Sequence, residues 1–268
     1  MEIMKKYEDS EGLVTVVTEG EGGLKRAIFK LLKLRNGKKI IIETKNYEYG
    51  IIILSGSCDL IGDEFMYKNV GKRSDVFSGK PTGIYIPIET KFEIRSLSEN
   101  MEIALCIAKS KIKTNPVLIS PEEVVEVDLG VLNWRRKAYF IIDERVKCEN
   151  LYIGETYLSP GKWAFPPHRH DYDNYPEEVE MDEIYHYRIN PKNGFGVQFF
   201  YTDDKSKDYS FTIRNGDTCY FPEGYHPAAA SPVDSMYILW FLAGKKRFFI
   251  SKPDEQYKWI KNCESLLN

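Results

Sequence analysis

The sequence predicts an all-β chain folded as two tandem antiparallel barrels, with one short helix at the C-terminus. Three observations predict this. Short runs rich in β-branched and aromatic residues recur along most of the chain, bounded by Gly, Pro, Asn or Asp. They follow one another at roughly 8–12 residue spacing, the cadence of a sandwich or barrel. Helical periodicity is weak, and long helices do not alternate with the strands, which argues against a doubly wound α/β sheet.

The first set of runs covers 38–44, 49–54, 83–87, 92–95 and 102–108. Residues 22–34 read equally as helix or strand. The second set covers 137–142, 151–158, 184–189, 197–202, 209–213, 218–221 and 236–241, and only 254–267 reads as a helix. Residues 109–126, with Pro116 and Pro121, read as a crossover. One barrel is therefore expected within 1–120 and the other within 121–268. Both halves contain a Gly-led turn followed by an aromatic strand that ends at proline: Gly83 to Pro87, and Gly216 to Pro222.

A chain of 268 residues is long enough for a sizeable core. With 43% apolar and 29% charged residues it is neither disordered nor fibrous. Thirty-seven basic against 40 acidic residues leave a net charge of −3, which argues against a nucleic-acid partner. The longest wholly apolar stretch, 236–243, is too short to span a bilayer, and no secretory signal heads the chain. Five scattered cysteines without a C-x-x-C read as buried small hydrophobes in a reducing compartment. The expectation is a soluble cytoplasmic protein, with no membrane partner.

The four histidines, His168, His170, His186 and His226, all lie in the second half. Pro166-Pro167-His168-Arg169-His170 places two imidazoles at i and i+2, which on a strand share one face. Two such imidazoles on a rigid strand are a common way to chelate a divalent ion. His226 follows a strand that ends at Pro222 and a turn eased by Gly224. A carboxylate to complete the set comes from the acidic stretch after His170, where Glu177, Glu178, Glu180, Asp182 and Glu183 are available. Glu183 is chosen because it opens a strand and would be held rigidly. Residues 171–182 then form either a solvated loop or a lid over the site. His186 opposes Glu183 in strand parity and is expected to pack or face solvent, and Arg169 is expected to point out of the barrel. Imidazoles with one carboxylate suit Zn, Mn, Fe or Ni, with Zn or Mn favoured. The first barrel has no histidine, so it cannot hold a three-His site.

These segments resemble the two signature motifs of the cupin superfamily. Gly216 to His226 is similar to G-x5-P-x-G-x2-H with one residue fewer before the His. Gly161 to His170 is similar to the first motif with one residue more. The resemblance implies a bicupin, two tandem double-stranded β-helix barrels with the metal in the second. A closer resemblance lies in Gly154-Glu155-Thr156, Gly161-Lys162-Trp163, Pro166 to Asp171, Asp182 to Arg188, Gly194 to Thr202 and Gly216 to Pro227, and upstream in Gly71 to Pro87. In these the chain is similar to the 5-deoxy-glucuronate isomerase family of bacterial inositol catabolism. That implies a metal-dependent aldose–ketose isomerase converting 5-deoxy-D-glucuronate to 5-dehydro-2-deoxy-D-gluconate. By this likeness the metal ligands fall on His168, His170, Glu183 and His226.

Such a reaction passes a proton between adjacent carbons through an enediolate. A cation polarises the carbonyl, and an acid–base group handles the proton. Tyr185 and Tyr201 are the candidate proton relays, with Gln198 orienting the substrate; a metal-bound hydroxide is equally compatible as base. A sugar-acid substrate needs a cation for its carboxylate, and Arg136 and Arg73 are the candidates; Arg188 is weaker on strand parity. The alternatives are a 4-deoxy-L-threo-5-hexosulose-uronate ketol-isomerase, an iron-dependent cupin dioxygenase and a non-enzymatic sugar-binding module. A homo-oligomer is expected.

Overall fold

The computed structural model describes residues 3–6 and 8–267. Its strands form two sandwich-like barrels, and every strand pairing is antiparallel. The first barrel has a six-stranded sheet in the order Val117–Ile119, Thr82–Ile86, Tyr47–Ser55, Met101–Lys109, Ile28–Leu34, Gly12–Val17. Facing it is a four-stranded sheet of Lys39–Glu43, Lys91–Ser96, Cys58–Gly62 and Met66–Val70. Leu32, Ile51, Ile53, Leu60, Ile84, Phe92, Ile94 and Ile103 pack between them as one apolar core.

The second barrel has a seven-stranded sheet: Met4–Lys5, Thr218–Phe221, Asp182–Asn190, Ser235–Ala243, Leu151–Leu158, Arg136–Ile142, Val125–Leu129. Opposite lie Trp163–Ala164, Ala228–Ala230, Gly196–Tyr201 and Asp208–Ile213. A separate two-stranded ladder joins His168–Arg169 to Lys252–Pro253.

The two large sheets pack against each other. In Tyr47–Ser55, Ile51 and Ile53 fill the first barrel's core, while Ile52 and Leu54 join the cluster that contains Ile141, Ile153, Leu239 and Phe241 of the second. A strand buried on both faces reads as an unbroken apolar run, here Ile51-Ile52-Ile53-Leu54, instead of an alternating one. Gly50 allows the close approach, because a Cβ there would lie 2.1 Å from the Ile153 side chain.

Buried carboxylates stitch this interface. Glu48 accepts from the backbone N–H groups of Glu149, Asn150 and Leu151 and from the Tyr85 hydroxyl. Asp182 accepts from the N–H groups of Lys25, Arg26 and Ala27. A buried acceptor that is fully supplied with donors costs little and fixes the geometry.

Several elements differ from expectation. Residues 22–34 are a short turn and then a strand, Ile28–Leu34. Gly12–Val17, Cys58–Gly62 and Met66–Val70 are additional strands. Met4–Lys5 pairs with Thr218–Phe221 in the second barrel, although it lies at the start of the chain. The expected crossover holds Val117–Ile119, which stays in the first barrel's sheet. The terminal helix is confined to Ile260–Leu267, because Asp254 caps a separate single turn at Glu255–Tyr257. Four cysteines are buried and none forms a disulfide; burial pushes the Cys58 thiol up to about 12. Among the described residues no helix is long and apolar enough to cross a membrane.

Candidate metal centre

Asp182–Asn190 alternates strictly. Its even positions face the first barrel: Asp182 as described, His186 against Phe29 with ring centroids 5.2 Å apart, and Arg188 paired with Glu102. Its odd positions, Glu183, Tyr185 and Tyr187, enter the second barrel's interior. There Phe221 lies across from Glu183 in the ladder. His226 stacks on Phe221 at 4.5 Å between ring centroids.

The turn that delivers His226 depends on Gly224. Its φ is +81°, and a Cβ there would lie 2.9 Å from both the Phe200 ring and the Tyr201 carbonyl oxygen. Glycine is thus required by conformation and by space. The Gly224 N–H donates to Asp171 at 2.8 Å.

His168 and His170 come from the Pro-Pro-flanked segment. Ring centroids are 4.9 Å apart for His168 and His226, 5.4 Å for His168 and His170, and 6.0 Å for His170 and His226. The Glu183 carboxylate lies 2.8 Å from Nε2 of His226 and 3.3 Å from Nε2 of His170. One donor atom from each of the four residues lies within 4.8 Å of the others. A single ion at about 2.0–2.2 Å from each donor requires this kind of convergence.

The donor set fits a divalent cation on further grounds. Both ring nitrogens of His170 are buried and lack a hydrogen-bond partner among the described residues. Buried polar atoms are normally satisfied, and a cation shared with Glu183 would satisfy Nε2. Nδ1 of His168 faces the Pro166 carbonyl at 3.2 Å, and Nδ1 of His226 faces the Gly224 carbonyl at 2.9 Å. Each carbonyl can take an Nδ1 proton, and that tautomer frees the Nε2 lone pair for a cation. Burial, with His226 and His170 alongside, lowers the His168 pKa to about 3, so its imidazole is neutral. Burial alone would raise the Glu183 carboxyl, but His226 and His170 hold it well below the usual carboxylate range. Neutral imidazoles and one carboxylate are the protonation states a metal ion needs.

Tyr185 projects beside this cluster, its ring 5.6 Å from that of His226. Burial, with Glu183 near, pushes its phenol well above the ordinary range, so it keeps its proton. Arg136 lies on the same face of the sheet as Tyr185, as the ladder register across the intervening strands requires. It donates to the carbonyls of Trp134 and Phe165 at 3.1 and 3.0 Å. Burial lowers its pKa, and the nearby Tyr185 and Glu264 act in the opposite sense.

Three expected site residues are engaged by other protein groups. Arg73 sits between the barrels, where its guanidinium meets Glu155 at 2.6 and 2.9 Å and the Ile53 carbonyl at 3.0 Å. Its fork is already filled by a carboxylate. Gln198 faces the interior but is fully buried and fully engaged. Its Oε1 accepts from the Tyr187 hydroxyl at 2.6 Å, and its Nε2 donates to the carbonyls of His226 and Pro227 at 2.8 and 3.1 Å. It fixes the His226 turn instead of a substrate. Tyr201 is three residues from Gln198, on the opposite face of the strand; its hydroxyl donates to Asp254 at 2.8 Å.

The acidic stretch after His170 is only partly a solvated loop. Glu178 is buried and accepts from the N–H groups of Asp171 and Tyr172, while Arg169 is buried among Asp203, Glu178 and the Tyr225 ring. Two roles carry no sequence signal: Gln198 supports the His226 turn, and Asp254, expected as the first residue of a helix over 254–267, instead accepts from Tyr201. Asp254 carries a helix-start signal, an acid after Pro253 and ahead of Glu255-Gln256, that marks a cap and not a helix interior.

The KduI/IolB family matches residues 3–260. The 5-deoxy-glucuronate isomerase of Geobacillus thermodenitrificans is 33% identical over 254 residues, covering 94% of this chain and 92% of that protein. That of Bacillus subtilis strain 168 is 33% identical over 261 residues, covering 96% of each. Among solved structures, an IolB-like protein from Salmonella typhimurium superposes with a TM-score of 0.93 at 25% identity, over 97% of this chain and 100% of that one. The oxalate decarboxylase of Lactobacillus farciminis superposes with a TM-score of 0.67 at 10% identity, over 96% and 90% of the two chains, a likeness of the two-barrel cupin fold alone. With a match from residue 3 to residue 260, and 33% identity to these isomerases along nearly its whole length, the chain belongs to the KduI/IolB family.

Proposed function

We propose that this protein is a metal-dependent aldose–ketose isomerase that converts 5-deoxy-D-glucuronate to 5-dehydro-2-deoxy-D-gluconate in inositol catabolism. The observation that carries the proposal is the convergence of His168, His170, Glu183 and His226 in a chain whose relatives are named 5-deoxy-glucuronate isomerases. Zn or Mn is the favoured ion. When bound, a divalent ion supplies Lewis-acid polarisation of the substrate carbonyl and charge stabilisation for the enediolate.

The chain's own residues supply the rest. The three imidazoles each offer a ring nitrogen, and Glu183 offers a carboxylate oxygen. Tyr185 retains its proton at neutral pH and faces the cluster, so it donates to the carbonyl oxygen and recovers a proton from the neighbouring hydroxyl, while the carbon-bound proton passes between the two carbons through a base distinct from Tyr185. Arg136 holds the substrate carboxylate; a guanidinium matches a carboxylate by charge and by planar geometry. Its Nη1 is anchored on two carbonyls, which leaves the other edge of the guanidinium for the ligand. We also infer cytoplasmic action and a homo-oligomeric state. The exposed Tyr175 and Phe248 rings, 5.4 Å apart, support the latter, and light scattering tests it.

The test is a side-by-side assay of the metal-loaded protein on 5-deoxy-D-glucuronate and 4-deoxy-L-threo-5-hexosulose-uronate, with oxygen uptake recorded. Turnover of the first without oxygen uptake supports the proposal. Preference for the second compound, or oxygen consumption, overturns it.

A further inference from the structure

Ligand His168 is anchored differently from Glu183 and His226. Glu183 sits in the large sheet, and His226 follows a turn fixed by Gly224 and Gln198. His168 lies on a two-residue strand whose sole ladder partner among the described residues is Lys252–Pro253, from the C-terminal segment. That segment runs on from Asp254, which makes contacts in two directions.

Its backbone N–H donates to the carbonyl of Pro167, next to His168, at 2.9 Å. Its Oδ2 accepts from the Tyr201 hydroxyl at 2.8 Å. Tyr201 in turn exchanges both backbone hydrogen bonds with Tyr225, at 3.0 and 2.8 Å, and stacks on the Tyr225 ring at 5.1 Å. Tyr225 immediately precedes His226. Asp254 is thus the link in a closed path from the residue before one ligand to the residue before another. Its other oxygen accepts from the Gln256 N–H, which fixes the rotamer and starts the terminal turn. Tyr257 in that turn packs on Phe165 at 4.9 Å.

We propose that Asp254 is a positioning residue for the metal centre, bracing His168 against His226 from outside the site through Tyr201. The C-terminal segment is then part of the metal-binding apparatus without supplying a ligand. Supports around a metal ligand commonly set affinity by one to two orders of magnitude, because a misplaced ligand must be reordered before it can coordinate. The inference rests on the metal-centre reading and is independent of which sugar acid is turned over.

The test is metal affinity, measured by competition between the full-length apo-protein and a chromophoric Zn(II) chelator. Asp254→Ala and Tyr201→Phe are each expected to weaken Zn(II) binding about tenfold to a hundredfold. Asp254→Asn, whose oxygen still accepts from the Gln256 N–H while its amide donates to the Tyr201 hydroxyl oxygen, stays within about threefold of the parent. Because the two residues act through one bond, the double variant is no weaker than the weaker single variant. Tyr201→Phe removes a single oxygen and keeps the ring stack, so it carries the test should the alanine variant not fold. Affinities within about twofold of the parent in both single variants, or losses that multiply in the double variant, would overturn the brace. A parent that binds no Zn(II) would instead sink the metal-centre reading. A parent that binds Zn(II) but turns over another sugar acid would leave the brace standing.

Discussion

Replacing Arg73 with methionine separates two roles open to an arginine at that place, substrate ligand and structural clamp. The side chains of Arg73 and Glu155 are 3% and 0% exposed, so solvent screening barely weakens their interaction. The substitution removes two charge-assisted hydrogen bonds to Glu155 and one to the Ile53 carbonyl. It leaves a buried carboxylate with only the hydroxyls of Tyr157 and Tyr237, at 2.8 and 2.7 Å. Removing one partner of a buried pair costs about 3–5 kcal/mol, and the two remaining donors place this case toward the lower end. At about 2–4 °C per kcal/mol for a chain near this size, the thermal midpoint falls by roughly 6–12 °C. The double change Arg73→Met with Glu155→Leu recovers most of that loss, because an apolar pair of similar volume replaces the ions. Scanning calorimetry of the apo-proteins reads both. Steady-state kinetics at 25 °C, where the single variant is still folded, should give an unchanged KM. A KM raised roughly tenfold or more, with a thermal midpoint within about 2 °C of the parent, would refute the clamp and restore Arg73 to the substrate site.

Three other outcomes follow from the geometry. Tyr185→Phe keeps one metal ion per chain but lowers kcat by about a hundredfold or more, since proton transfer from a positioned acid is lost while ligation is not; metal analysis beside kinetics checks it. Gln198→Leu strips the Tyr187 hydroxyl of its acceptor and the His226 turn of its donor, so chelator competition should show Zn(II) affinity reduced about tenfold to a hundredfold. His186 is buried beside Phe29, and burial, helped by Arg188 and Lys33, holds its pKa well below 6.5. Below pH 6.5 the unfolded chain binds a proton that folded His186 refuses, so stability falls as pH falls, with a limiting slope of about 1.4 kcal/mol per pH unit. Urea midpoints from pH 8 to 5 should therefore show a shallower acid limb for His186→Gln than for the parent.

The four residues proposed to hold the metal stand out in the sequence because each carries a local signal. His168 and His170 are two apart on an extended segment, His226 follows a Pro-x-Gly turn, and Glu183 opens a strong strand. The strand runs were legible for the same reason, down to Leu151–Leu158 and Thr218–Phe221, whose bounds match the expectation. Met66–Val70 carries no comparable signal because it is an edge strand with mostly exposed side chains and no apolar stripe.

What surrounds the ligands was less legible. Strand parity alone places Gln198 and Tyr201 on opposite faces, so both could not line one site; that much was readable. The partner that occupies a polar side chain was not. Glu155 is 82 positions from Arg73, and Asp254 is 53 from Tyr201. Those pairs are created by the packing of two barrels and by the return of the C-terminal segment. Nothing in local composition distinguishes an arginine that waits for a substrate carboxylate from one already holding a protein carboxylate.

The most direct test of the central claim is anomalous diffraction from crystals of the full-length protein grown with Zn(II). One dominant peak per chain is predicted in the second barrel, about 2.0–2.2 Å from a nitrogen of His168, His170 and His226 and from a carboxylate oxygen of Glu183. A protein that isomerises the sugar acid while its peak lies elsewhere, or with no density between those four side chains, would contradict the account.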